Sequence, residues 1–146
     1  MRELIKKVFV YGTLKPSGRY HFIAQEAGLI SQEEAYLEGF DLYHLEPENY
    51  PALIEGRGKV YGWRFEFADM AIGLAALDKL EGVSLPVPEY RRVQALSYAK
   101  NDQANREQVW VYLHNNLQRL KASAWLVSDG IWQPSSEVGI LPQGLT

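Results

Sequence analysis

Cysteine is absent from this chain, which excludes disulfide staples, thiolate nucleophiles and sulfur-ligated metals together. Any chemistry must therefore use oxygen and nitrogen groups. An excess of positive charge is missing too: 15 basic residues stand against 18 acidic ones, for a net charge of -3. The basic residues form no dense patch, so the electrostatic footprint of a nucleic-acid binder is lacking. No apolar run approaches the ~20 residues that a membrane-spanning helix needs. The opening Met1-Arg2-Glu3-Leu4-Ile5-Lys6-Lys7 has no long apolar stretch and no small-residue cleavage site. It does not read as a secretory signal, and a cytoplasmic protein is expected. The three histidines, His21, His44 and His114, lie far apart and form no paired motif, so no metal site is expected. Nucleophile elbows, phosphate loops and dinucleotide fingerprints are equally missing.

What is present fits one ordinary globular domain over residues 1–146, with 47% hydrophobic and 23% charged residues. Many short strand patterns surround one strong helix, which argues for a mixed α+β domain built on an antiparallel sheet or small barrel. Val8 to Tyr11 are β-branched or aromatic and read as a strand. Gly12, through a positive φ, is expected to swing the chain away from it. Phe22, Ile23 and Ala27 suggest one face of a brief helix within residues 21–28. Residues 33–45 alternate as strands with a bend at Gly39, and the two prolines within residues 46–51 mark a loop. Gly56-Arg57-Gly58 reads as a turn into residues 59–67, where Tyr61, Trp63, Phe65 and Phe67 occupy every second position. Residues 90–98 and 108–114 read as a strand pair with its tip at 101–105. Residues 124–127 and 131–133 read as a second pair about the Asp129-Gly130 turn, with a polar terminal segment after Pro134.

Asp69 has the character of an N-cap, Gly82 that of a left-handed C-terminal residue, and the intervening Met70 to Glu81 has no proline. On a helical wheel at ~100° per residue Met70, Leu74, Leu77 and Glu81 share one narrow sector, while Lys79 points the opposite way. Glu81 is thus a carboxylate on an apolar stripe. Loss of hydration there, with the negative end of the helix nearby, would raise its pKa and make it a better base. Alternatively the side chain, in the last turn, bends to water or pairs with Arg91 or Arg92. The loop after the first strand is open to two readings as well. The amides of Gly12, Thr13 and Leu14 could converge on an anion or a carbonyl oxygen, or the loop is a plain strand exit.

The run Tyr11-Gly12-Thr13-Leu14-Lys15-Pro16, followed by Gly18, Arg19 and His21, resembles the opening signature of the γ-glutamylcyclotransferase-like (AIG2-like) family. Tyr50-Pro51-Ala52-Leu53, Val60-Tyr61-Gly62, Leu77-Asp78-Lys79-Leu80-Glu81-Gly82 and Tyr90-Arg91-Arg92 continue it in the family's order. The resemblance implies a small, mostly antiparallel β-barrel with flanking helices. It also implies an enzyme that releases 5-oxoproline from a γ-glutamyl amine or peptide, by attack of the substrate's own amine. Glu81 matches the family's catalytic glutamate, and the loop Tyr11 to Leu14 would bind the glutamyl portion. Tyr90 and Tyr112 are added from their strand positions as pocket candidates, although a strand tyrosine is more often a core ring. No cofactor, metal, nucleic acid or membrane is implied, only a small-molecule substrate. The rival expectation is a non-catalytic module that binds a small acid, or binds a protein through Trp63, Phe65 and Phe67.

Overall fold

The computed structural model describes residues 4–86 and 88–134. In chain order its elements are β1 (Lys7–Val10), α1 (His21–Glu26), β2 (Leu29–Leu45), β3 (Tyr50–Phe67), α2 (Met70–Glu81), β4 (Tyr90–Ala99), β5 (Asp102–His114), α3 (Leu117–Ser123) and β6 (Ala124–Leu126). This is an α+β arrangement dominated by one sheet, in the order β3-β1-β5-β4-β2-β6. Because β2 also pairs with β3, five strands follow one another around a closed ring and β6 is appended to β2. The pairings are antiparallel apart from the single parallel contact of β1 with β5, Val8 opposite Trp110.

Strand alternation sorts the core into two compartments. Phe9, Leu37, Leu53, Val60, Val109 and Val111 form one cluster, and the opposite-facing Val8, Val10, Phe65, Phe67 and Leu77 form another that takes in Ala24 of α1. The aromatic stripe of β3 belongs to this second layer, with Phe65 and Phe67 buried under the helices. Those two rings are therefore core and cannot meet a protein partner, while Trp63 of the same stripe is partly buried against their cluster. The other face of the same strand is buried as well, and Arg64 on it is fully enclosed. From β3 its guanidinium donates to Glu33 on β2 (3.0 Å), to Ser97 Oγ on β4 (2.8 Å) and to the Asn105 carbonyl on β5 (3.0 Å). One cation thus ties four strands, and every bond is charge-assisted.

α2 forms as its end signals dictate. The Asp69 carboxylate accepts from the amides of Ala71 and Ile72, and Gly82 takes φ 70°. Gly39, at φ 88°, lies where the β2 and β3 register shifts. Five sequence expectations are corrected. Gly12 is not among the positive-φ residues; a β-carbon there would sit 2.1 Å from Pro51 Cγ, so glycine is required by close approach. Gly56-Arg57-Gly58 is no turn but part of continuous β3, where a β-carbon on Gly56 would strike the Asp41 carboxylate and the amides of Arg57 and Gly58 donate to it. β3 begins at Tyr50, so Pro51 pairs within the sheet, and the β4–β5 turn is tighter than expected because β5 starts at Asp102. The Asp129-Gly130 turn forms, but β6 joins β2 rather than residues 131–133. There Trp132 donates from Nε1 to His44 Nδ1 at 3.0 Å instead of extending a hairpin. The segment after Pro134 lies outside the described residues.

Candidate functional site

β1 delivers the chain to the end of the ring, and where pairing stops the backbone turns into the cavity wall. The loop is held through its carbonyls. Gly12 O accepts from Lys15 N, Thr13 O from Tyr20 N, and Leu14 O meets His21 Nδ1 at 2.9 Å. Its amides are different. Gly12, Thr13 and Leu14 are all buried, and none of their N–H groups donates to another described residue. Buried amides without an acceptor are costly, ~1–3 kcal/mol each, and rarely tolerated unless something else satisfies them.

The same loop residues line a cavity of about 150 Å³ whose wall brings Tyr11, Gly12, Thr13, Leu14, Tyr90 and Tyr112 together with Glu81. All seven candidate residues therefore share one hollow. Glu81 reaches it from the last residue of α2, half-buried and with no hydrogen-bond or ion-pair partner among the described residues. The arginine pairing considered for it does not occur. Arg92 instead makes a bidentate contact with Asp78 (2.9 and 3.2 Å) and stacks over Trp110. Burial, reinforced by the negative charge of Glu89, pushes the Glu81 carboxyl from 4.5 up to about 8.

The tyrosines are walls rather than acids. Tyr11 donates to the Tyr112 carbonyl, Tyr90 to the Pro51 carbonyl and Tyr112 to Asp78 Oδ1, each at 2.6 Å. Burial foremost raises the ionisation of all three, so they stay neutral at physiological pH. With their protons committed, they can only accept at the cavity, and they fix its shape. Sequence reasoning missed Tyr50, Pro51, Leu80 and Glu89, which also line it. Glu89 sits at the exposed mouth, its Oε2 accepting from Tyr50 at 2.7 Å. No lysine, arginine or histidine is part of the lining. Among the described residues no group of three or more His, Asp or Glu side chains is arranged to hold a metal ion, and no helix is long and apolar enough to cross a membrane.

Comparison with known proteins agrees with this picture. Residues 8–134 match the family model "Gamma-glutamyl cyclotransferase, AIG2-like". A Vibrio cholerae protein named "Putative gamma-glutamylcyclotransferase" is 34% identical over 125 residues, 86% of this chain and 93% of that protein. Among solved structures, an AIG2-like protein from Mus musculus superposes with a TM-score of 0.68 at 21% identity, over 90% of each chain. An uncharacterized protein from Pyrococcus horikoshii gives 0.60 at 19% identity, over 86% of this chain and 88% of that one. At these identities the structural likeness speaks for the fold alone.

Proposed function

The chain belongs to the AIG2-like γ-glutamyl cyclotransferase family, and from that premise we propose that it releases 5-oxoproline from a γ-glutamyl amine or peptide, with Glu81 as general acid and base. The observation that carries the reading is the meeting of an unpartnered, half-buried carboxyl with three unsatisfied backbone amides along one small cavity. A γ-glutamyl group carries the complementary set: an α-ammonium for the acid, and an α-carboxylate and γ-carbonyl oxygen for the amides.

In the proposed reaction the α-ammonium gives a proton to ionised Glu81, and the freed nitrogen attacks the γ-carbonyl carbon. A new C–N bond closes the five-membered ring, and the carbonyl electrons move onto oxygen. Glu81 hands the first proton to the nitrogen of the original amine, and the carboxylate so regenerated takes the second proton from the ring nitrogen. As the carbonyl re-forms, the bond to the amine breaks, and the freed amine receives that second proton and leaves as an ammonium. Protons balance, and the nucleophile belongs to the substrate. The raised ionisation of Glu81, about 8, brings its carboxyl far closer to an α-ammonium group than an ordinary carboxylate is, so the proton transfer between them costs less in the direction the reaction needs. The rigid tyrosine walls favour a folded conformer in which nitrogen and carbonyl already meet. Loop amides aimed at the developing oxyanion would stabilise the tetrahedral intermediate.

The test is Glu81→Gln, which keeps the shape and removes the base. The variant is expected to fold, to retain 5-oxoproline binding by calorimetry, and to lose about 10²- to 10⁴-fold in turnover of γ-glutamyl substrates. Turnover equal to the parent's would remove Glu81 from the mechanism.

A further inference from the structure

The cavity contains a second acid for which the reaction has no chemical use. Glu89 lies in the connection between α2 and β4, and its backbone carbonyl accepts from Asn115 N at 2.9 Å while its carboxylate is held by the Tyr50 hydroxyl. It is therefore anchored at both ends rather than trailing in solvent. Resting on the cyclotransferase reading, we infer that Glu89, oriented by Tyr50, is the seat of the substrate's α-ammonium group, and selects ligands with a free, protonated amine before Glu81 takes the proton.

Three features support this. The acid faces a lining with no cationic side chain, so nothing in the cavity competes for its charge. The unpartnered amides lie on a different element, the β1 exit loop, so one segment of the wall offers donors to an anion and another offers an acid to a cation. A zwitterionic glutamyl head would lie along that gradient in one direction only, with its nitrogen beside the two acids. The remaining charges near the mouth are already engaged: Arg119 pairs with Glu48, and neutral His114, whose ring burial keeps its ionisation low, accepts from Asn116 N through Nδ1. Tyr11, Tyr90 and Tyr112, which also surround Glu81, are all neutral.

Calorimetry with two small probes tests the seat independently of turnover: L-glutamine, which carries the α-ammonium, and 5-oxoproline, which does not. In Glu89→Gln the affinity for L-glutamine is expected to fall about tenfold or more, with that for 5-oxoproline unchanged within about twofold. Tyr50→Phe, which leaves the charge but frees its orientation, should show a smaller loss of the same selectivity. In turnover, KM rises while kcat is largely kept. The apparent ionisation in kcat/KM assigned to Glu81 moves to lower pH, because a neighbouring negative charge has gone. Equal loss for both probes would mark Glu89 as merely structural, and no loss, or a parent that does not bind L-glutamine, overturns the seat. If the parent releases no 5-oxoproline from any γ-glutamyl compound but Glu89→Gln still loses L-glutamine selectively, the seat stands and the cyclotransferase reading fails. Turnover that needs Glu81 yet ignores Glu89 gives the reverse.

Discussion

Glu81 should make the folded protein less stable as the pH rises, and replacing it should reverse that trend. In the unfolded chain its carboxyl ionises at the ordinary 4.5, whereas in the folded cavity it does so at about 8. Between those values the unfolded state has already released a proton that the native state still holds. Unfolding therefore becomes easier by about 1.4 kcal/mol per pH unit. The contribution is fully favourable below pH ~4.5 and lost as pH climbs through ~8, for a total of about 5 kcal/mol. Water reaching the exposed edge of the half-buried carboxyl relieves part of this. We expect Glu81→Gln, which has nothing to ionise, to gain about 2 kcal/mol over the parent on going from pH 4.5 to pH 7. Urea unfolding of both proteins at half-unit steps from pH 4.5 to 9 measures it. At an m of about 2 kcal/mol/M the midpoint difference should widen by about 1 M by pH 7, with m unchanged. A difference that stays flat across that range would mean that the folded carboxyl ionises as it does in water, and the argument for a tuned base would collapse. Gaining stability while losing turnover is the behaviour of a residue kept for function against the interests of the fold.

Gly12→Val should push the exit loop away from Pro51, because the added β-carbon would lie 2.1 Å from its Cγ. The expected result is a loss of about 1–3 kcal/mol of stability and a marked fall in 5-oxoproline affinity by calorimetry; unchanged affinity would show that the loop is not the binding element. Arg64→Ala opens a void and strands Ser97 and the Asn105 carbonyl without their donor. A loss of about 3 kcal/mol is expected from urea unfolding. Arg64→Met, which fills the space, should lose less than the alanine variant.

Elements governed by local rules are legible in the amino-acid sequence. α2 needs only its cap, its stop and its apolar stripe, all within residues 69–82, and it forms from Met70 to Glu81 as expected. The β4–β5 pair likewise follows from alternation and proximity along the chain. What escapes such a reading depends on distant partners. α3 is a seven-residue helix whose one buried side chain, Leu120, packs with Leu45 and Ala52. Alone it would be too short to hold together. The glycines at 56 and 58 look like a turn because glycine usually marks one. Their cause is Asp41, fifteen and seventeen residues earlier in the chain and beside them only once β2 lies against β3.

The same division runs through the site. Glu81 stands out because it breaks a pattern on its own helix, where a single wheel specifies what each position should be. Glu89 and Tyr50 break no pattern: each stands beside a proline in a stretch that reads as irregular, where polar and aromatic residues are equally ordinary. Arg64 alternates with aromatic residues and so fits a strand with one wet face, yet ring closure covers both faces and leaves the arginine fully enclosed. A local rule can therefore expose one acid, but not the group that faces it across a cavity. The ionisation of Glu81 combines both kinds of information, burial set largely by its helix and repulsion from Glu89 set by the ring. Replacing Glu89 with glutamine should remove the second part and leave the first. The parent-minus-variant shift in the kcat/KM profile would then measure how much of the base's tuning comes from contacts that no single segment encodes.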